Sequence, residues 1–201
     1  MNNFIGKPAC DFTTSVVMPD GSIVKNYNLY DNIKGKYALL FFYPMDFTFV
    51  CPSELIAINN RMHEFESRDV KVLGVSIDSA FVHKAWRETA IEAGGIGKVS
   101  YPLVSDVKKF IIKSYGLEDE NSGVSYRGSF IIDKNMIIRS YSVNDFPIGR
   151  NIDEYIRLFD ALAFHTEHGD VCQAGWSKGA KGIEPSSEGV SSFLASNFKK
   201  L

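Results

Sequence analysis

What is scarce in this sequence narrows the possibilities first. Only three cysteines, Cys10, Cys51 and Cys172, occur in 201 residues. An odd, low count argues against a secreted disulfide framework. No C-x-x-C pair is present. No apolar run reaches the roughly 18 residues that a membrane span needs, so no membrane association is expected. Cations are not in excess: 22 Lys and Arg stand against 24 Asp and Glu, a formal net charge of -2. That lacks the basic footprint of a nucleic-acid binder. The opening Met1-Asn2-Asn3-Phe4-Ile5-Gly6 has neither the basic start nor the apolar stretch of a signal peptide. Together these absences read as a cytoplasmic protein. Histidines number four, and only His165 and His168 are close. With no Cys or carboxylate cluster at ligand spacing, no metal is expected, and this pair is expected to meet terminal helix carbonyls. Gly94-Gly95-Ile96-Gly97 neither follows a strand nor precedes Lys-Ser/Thr. It is not a phosphate loop, and no cofactor is expected.

What is present is the balance of a globular protein, 45% hydrophobic and 23% charged. Its 15 Phe must be buried or paired with a partner. Residues 1–36 read as short strands and turns, with turn signals at Pro19-Asp20-Gly21 and Lys34-Gly35-Lys36. Tyr37 to Tyr43 is an apolar run suited to a central strand covered on both faces. From Pro52, the residues Leu55, Ile58, Met62 and Phe65 mark one amphipathic helix. Val70 to Ile77 is a further strand, which completes a βαβ unit. Helices are expected at about 80–92, around Val107, Phe110 and Ile111, and from Ile152 through Ala163. Ser129–Ile132 and Met136–Val143 flank Asp133-Lys134-Asn135 as a hairpin. The fold class is α/β: a mixed central β-sheet with flanking helices, over residues 1–165. Residues 166–201, rich in Gly and Ser, read as a C-terminal arm.

Cys51 carries the chemistry. Pro52 suits a first helical turn, so Cys51 lies at a helix N-terminus, where free N–H groups and the helix dipole favour an anion. Position alone leaves two readings equally open, a reactive thiolate and a small buried hydrophobe. The preceding loop, Pro44-Met45-Asp46-Phe47-Thr48-Phe49-Val50, adds to the first. Thr48 is close enough for its hydroxyl to donate to a thiolate or to a peroxide oxygen. It also fits as an ordinary turn residue, and Pro44 fits as either a pocket wall or a strand terminator.

Pro-x-x-x-Thr-x-x-Cys-Pro resembles the active-site motif of peroxiredoxins, and Phe41 through Glu54 resembles their typical 2-Cys branch, which includes the alkyl hydroperoxide reductase peroxidase subunits. The likeness continues in Val75–Ser79, His83–Trp86, Tyr126–Asp133 and Val143–Arg150. It implies a thioredoxin-like fold and a thiol-dependent peroxidase that serves antioxidant defence. It implies that Cys51 attacks the peroxide within a pocket of Pro44, Thr48 and Arg127, which Glu54 and Arg150 help to orient. A permanent cation at Arg127 would stabilise the thiolate and the charge on the breaking O–O bond.

His168–Trp176 resembles the resolving-cysteine motif of the same branch, with Gln173 where that family has proline. The resemblance implies that Cys172 of one subunit meets the Cys51 sulfenic acid of the other, in a homodimer that assembles to a decamer. The electron donor is then a thioredoxin-like protein or a flavoprotein reductase. Disulfide geometry needs Cα atoms within roughly 7 Å, so the first turn after Cys51 is expected to unwind. Cys10 reads as an incidental thiol. Gly94-Gly95-Ile96-Gly97 resembles a loop that accompanies susceptibility to over-oxidation, with Phe193-Leu194 in place of the usual Tyr-Phe pair. Two rival functions are a thioredoxin-like disulfide reductase, which the missing C-x-x-C opposes, and a holdase chaperone. Peroxide-dependent consumption of a thiol reductant separates all three.

Overall fold

The computed structural model describes residues 3–199. The chain divides into two compact units, Met1–Ile152 and Asp153–Leu201. The first unit is built on a seven-stranded sheet in the order β2-β1-β5-β4-β3-β6-β7. Strands β1 (Thr13–Val17) and β2 (Ile23–Asn28) form an antiparallel hairpin. Strand β3 (Tyr37–Phe42) runs parallel to β4 (Val70–Ser76) and antiparallel to β6 (Arg127–Ile132). Strand β4 also pairs in parallel with β5 (Leu103–Ser105), and β6 turns back into β7 (Ile138–Asn144). The sheet is therefore mixed, and every residue of β3 is buried, as its continuous apolar run requires.

Local chemistry explains where the elements differ from expectation. Between β2 and β3 the chain forms a short helix, α1 (Leu29–Ile33), where only strands and turns were expected. Its signal is the Asn28 side chain, which caps the Asp31 N–H at 2.9 Å. The single helix expected from Pro52 to Phe65 is two, α2 (Cys51–Asn60) and α3 (Met62–Glu66), interrupted at Arg61. Asn59 and Asn60 are weak helix formers, and the Asn59 side chain is drawn off to accept from the Ser100 N–H at 2.7 Å. The apolar stripe survives the break: Leu55, Ile58, Met62 and Phe65 are all buried.

Helix α4 (Ala80–Glu88) ends earlier than expected and is followed by a 3₁₀ turn at Ile91–Ala93. Gly94 then takes a left-handed φ of 84°, and its carbonyl accepts from the Trp86 indole at 2.8 Å. Helix α5 (Phe110–Ser114) excludes Val107, because the Asp106 carboxylate caps the Ile112 N–H at 2.8 Å and places the start at Phe110. The β6–β7 hairpin turns on Asp133, whose Oδ1 accepts from the Asn135 and Ile137 N–H groups.

Gly74 of β4 lies opposite Phe41 of β3. A Cβ at Gly74 would come within 2.7 Å of the Phe41 ring. That close approach matters to function, because Phe41 supports one of the arginines described below.

Helix α6 (Ile152–His168) runs without a break past residue 166, the expected start of the arm. The second unit then contains an isolated bridge between Val171 and Ile183, followed by a helix α7 (Ser187–Asn197) that composition did not reveal. Ser186 caps α7 by accepting from the Gly189 N–H at 2.9 Å.

Candidate active site

Cys51 is the first residue of α2 and is fully buried, with Pro52 in the first turn. Arg127 enters from the start of β6. Its Nη1 lies 3.3 Å from the Cys51 Sγ and 2.7 Å from the Glu54 Oε2, while its Nε donates to the Phe146 carbonyl at 2.8 Å. Glu54 sits one turn into α2, on the same side as Cys51. Its second oxygen accepts from the backbone N–H and the Nε of Arg150, at 3.0 and 2.8 Å. Arg150 Nη2 closes the fork on Oε2 at 2.8 Å. Arg150 Nη1 meanwhile donates to the Phe42 and Gly128 carbonyls, both at 2.9 Å, so it is locked to the edges of β3 and β6. Its guanidinium lies over the Phe41 ring, 5.2 Å from the centroid.

The side chains of Arg127, Arg150 and Glu54 are only 4, 1 and 2% exposed. Two cations and one anion are thus held in a dry cluster around one sulfur. With Cys51 as a thiol the set carries one uncompensated positive charge; with Cys51 as a thiolate it is neutral. Low-dielectric surroundings make that difference large. The arrangement can hold a sulfur anion and stabilise a second anion that forms beside it.

Pro44 is buried at the end of β3. Thr48 is half-buried, and its hydroxyl hydrogen is given to the Met45 carbonyl at 2.8 Å. In this arrangement the hydroxyl proton is engaged by Met45, and its lone pairs are left to accept. Beyond the thiol, Phe49 is 99% exposed.

Comparison with known proteins decides the family. The AhpC/TSA family matches residues 5–141, and the C-terminal domain of 1-Cys peroxiredoxin matches residues 161–195. An alkyl hydroperoxide reductase C of Buchnera aphidicola is 50% identical over 96% of this chain and 98% of its own length. The chain belongs to the peroxiredoxin family. Peroxiredoxin-1 of Gallus gallus is also 50% identical, over 90% of this chain and 90% of its own. The crystal structure of reduced Plasmodium vivax 2-Cys peroxiredoxin superposes with a TM-score of 0.93 at 42% identity, covering 96% of this chain and 100% of the other. As a peroxiredoxin the chain has the thioredoxin-like fold and is a thiol-dependent peroxidase.

The peroxiredoxin also contains a buried polar group that sequence reasoning missed. His83 of α4 contacts the Asp46 carboxylate at 2.7 Å through Nδ1 and the Val104 carbonyl at 3.2 Å through Nε2. Tyr43 donates to the other Asp46 oxygen at 2.9 Å. The Asp46 N–H donates to Asp78, which also accepts from Ser76. Desolvation pushes the Asp46 carboxyl above its ordinary value, while the bonds from His83 and Tyr43 act against it. Asp46, Asp78 and His83 thus gather three groups that metals favour, but their donor atoms are engaged in these hydrogen bonds. Their visible effect is to pin the loop that leads into Cys51.

In the second unit, Cys172 is half-buried and its Sγ lies 3.6 Å from the Ala161 carbonyl. Burial pushes its thiol above the ordinary value; Arg157 opposes this and Asp170 adds to it. His168 bonds the Phe164 carbonyl of its own helix at 3.0 Å, as expected. His165 instead reaches forward to the Asp170 carbonyl at 2.8 Å. Cys10 contacts the Ser114 carbonyl at 3.6 Å, and burial raises its thiol too. Among the described residues no helix is long and apolar enough to cross a membrane.

Proposed function

We propose that this peroxiredoxin reduces hydrogen peroxide and organic hydroperoxides by attack of the Cys51 thiolate, for antioxidant defence in the cytoplasm. One observation supports this most: the Arg127 Nη1 at 3.3 Å from the buried Cys51 Sγ, inside a set whose charge balances only when sulfur is ionised. The sulfur takes one peroxide oxygen and loses two electrons to the O–O bond, which breaks. Cys51 becomes a sulfenic acid, and the second oxygen leaves as an alkoxide or hydroxide that collects a proton. Arg127 stabilises the negative charge as it passes from sulfur to the leaving oxygen. Thr48 accepts from the peroxide O–H, and Pro44 keeps water away from the sulfur. Glu54 and Arg150 act through Arg127, by fixing its plane.

Arg127→Met is expected to lower kcat/KM for peroxide by about 10²–10³-fold, the effect of removing one donor from such a site. Stopped-flow oxidation of Cys51 measures it. An unchanged rate would remove Arg127 from the mechanism.

Resolution follows on the same reading. Cys172 of the partner subunit condenses with the sulfenic acid, water leaves, and an intersubunit disulfide results. A thioredoxin-like protein or a flavoprotein reductase then returns both thiols. The long first α-helical bond of α2, with the Glu54 N–H 3.4 Å from the Val50 carbonyl, supports local unwinding. Large exposed apolar side chains, among them Phe47, Phe81 and Phe110, support further assembly of dimers toward a decamer. The test is direct. One equivalent of peroxide should convert the reduced protein to a covalent dimer on a non-reducing gel, and Cys172→Ser should not form it. A Cys172→Ser dimer would sink the assignment of Cys172.

A further inference from the structure

Gln173, immediately after Cys172, holds a polar atom that the chemistry above does not use. Its Nε2 donates to the Lys181 carbonyl at 3.2 Å. Its Oε1 is buried without a hydrogen-bond partner among the described residues. Gln173 belongs to a closed turn. Val171 and Ile183 exchange both backbone hydrogen bonds at 2.9 Å. The Trp176 N–H donates to the Gln173 carbonyl at 3.0 Å, and the Trp176 indole donates to the Ala180 carbonyl at 3.2 Å. Arg157, itself forked onto Glu154, ties the turn to α6 through the Trp176 carbonyl at 2.9 Å. Inside this turn the Cys172 Sγ faces the Ala161 carbonyl, an acceptor that favours the protonated thiol.

Among the described residues, the Gln173 Oε1 is the one buried side-chain nitrogen or oxygen without a hydrogen-bond partner. A buried oxygen left without a partner costs more than one neutral hydrogen bond returns. When the turn opens, water satisfies both ends of the amide. The closed turn is therefore weakened at the residue next to the sulfur that must leave it.

We propose that Gln173 is a positioning residue that biases the Cys172 turn toward opening and so sets the rate at which Cys172 reaches the Cys51 sulfenic acid. This rests on the reading of Cys172 as the resolving thiol. In that step the sulfur–sulfur bond forms, the sulfur–oxygen bond of the sulfenic acid breaks, and the Cys172 proton leaves with the hydroxyl as water. Gln173 touches none of these atoms; it governs only the opening that precedes them.

Two substitutions push the turn in opposite directions. Gln173→Met keeps the length of the side chain and removes the unpaired buried oxygen; the bond to the Lys181 carbonyl that it also loses lies at an exposed site, where water replaces it, so the closed turn gains. Gln173→Glu places a carboxylate against the Lys181 carbonyl, so the closed turn loses. Stopped-flow traces should show a peroxide-dependent phase at the wild-type rate in both. The later, peroxide-independent phase should be about five- to tenfold slower in Gln173→Met, given the size of one unsatisfied buried oxygen. It should be faster in Gln173→Glu at neutral pH, and that gain should vanish as the carboxyl protonates. Hydrogen exchange at the Val171 and Ile183 amides should slow in the first variant and quicken in the second. Equal or faster resolution in Gln173→Met overturns the proposal, as does a resolution rate that fails to follow the exchange rate. The Cys172→Ser gel separates the two failures. If that variant lacks the covalent dimer while the Gln173 variants resolve like wild type, only the role of Gln173 falls. If it still forms the dimer, the reading of Cys172 falls, and the proposal with it.

Discussion

Cys51→Ser should lose peroxidase activity by roughly 10⁴–10⁶-fold, the scale on which enzymes fail when a covalent nucleophile is removed. It should nevertheless keep its fold. Serine is close to cysteine in shape, and its oxygen can still accept from Arg127. What it cannot do is ionise: the cluster of two arginines and one glutamate then keeps its extra positive charge at any working pH. The variant's rate of peroxide consumption should equal that of buffer with reductant alone. Residual turnover above that background would mean that Cys10 or Cys172 can act as a nucleophile. Both are poor candidates, because burial raises each thiol above its ordinary value.

How much of this site the sequence disclosed depends on the range over which each residue acts. The position of Cys51 was readable because its determinants are adjacent: Pro52 for the first turn, and the stripe from Leu55 for the helix. The cluster around it was not. Judged by residue chemistry alone, Glu54, Arg127 and Arg150 pass for surface charges, and only the resemblance to peroxiredoxins drew them together. Their burial is a tertiary fact, since Arg150 lies 96 residues from Glu54 and is held by carbonyls of Phe42 and Gly128. The direction of the Thr48 hydroxyl was likewise beyond the motif, because it follows from the loop folding back on Met45. His83, Asp46 and Tyr43 were invisible for the same reason as the arginines. Strands β3 and β4 were read well because β3 is buried and apolar throughout and β4 is buried at every residue but Lys71, whereas the three-residue β5 was too short to be read. Helix α7 was missed although Val190, Phe193 and Leu194 follow the Ser186 cap at helical spacing; the surrounding Gly and Ser masked them.

The second large effect concerns Glu54. Glu54→Leu removes the one carboxylate among the described residues that touches both guanidinium groups, and leaves two buried cations with no anion but the Cys51 thiolate beside them. Breaking a buried charge cluster from one side costs about 3–5 kcal/mol, because the remaining charges cannot regain water. The loss should appear as a lower midpoint in urea unfolding, with activity falling as well, since Arg127 no longer has a fixed plane. Glu54→Gln keeps the shape and some acceptors, so it should cost less stability while still loosening Arg127. The informative variant is the double one. If charge imbalance is the cause, Glu54→Leu together with Arg150→Leu should recover stability relative to Glu54→Leu alone, because one stranded cation is gone and apolar contact with Phe41 replaces it. If simple loss of packing is the cause, the two substitutions should add. Activity should not recover in either case, because Arg127 keeps its charge but not the carboxylate that aims it at Cys51.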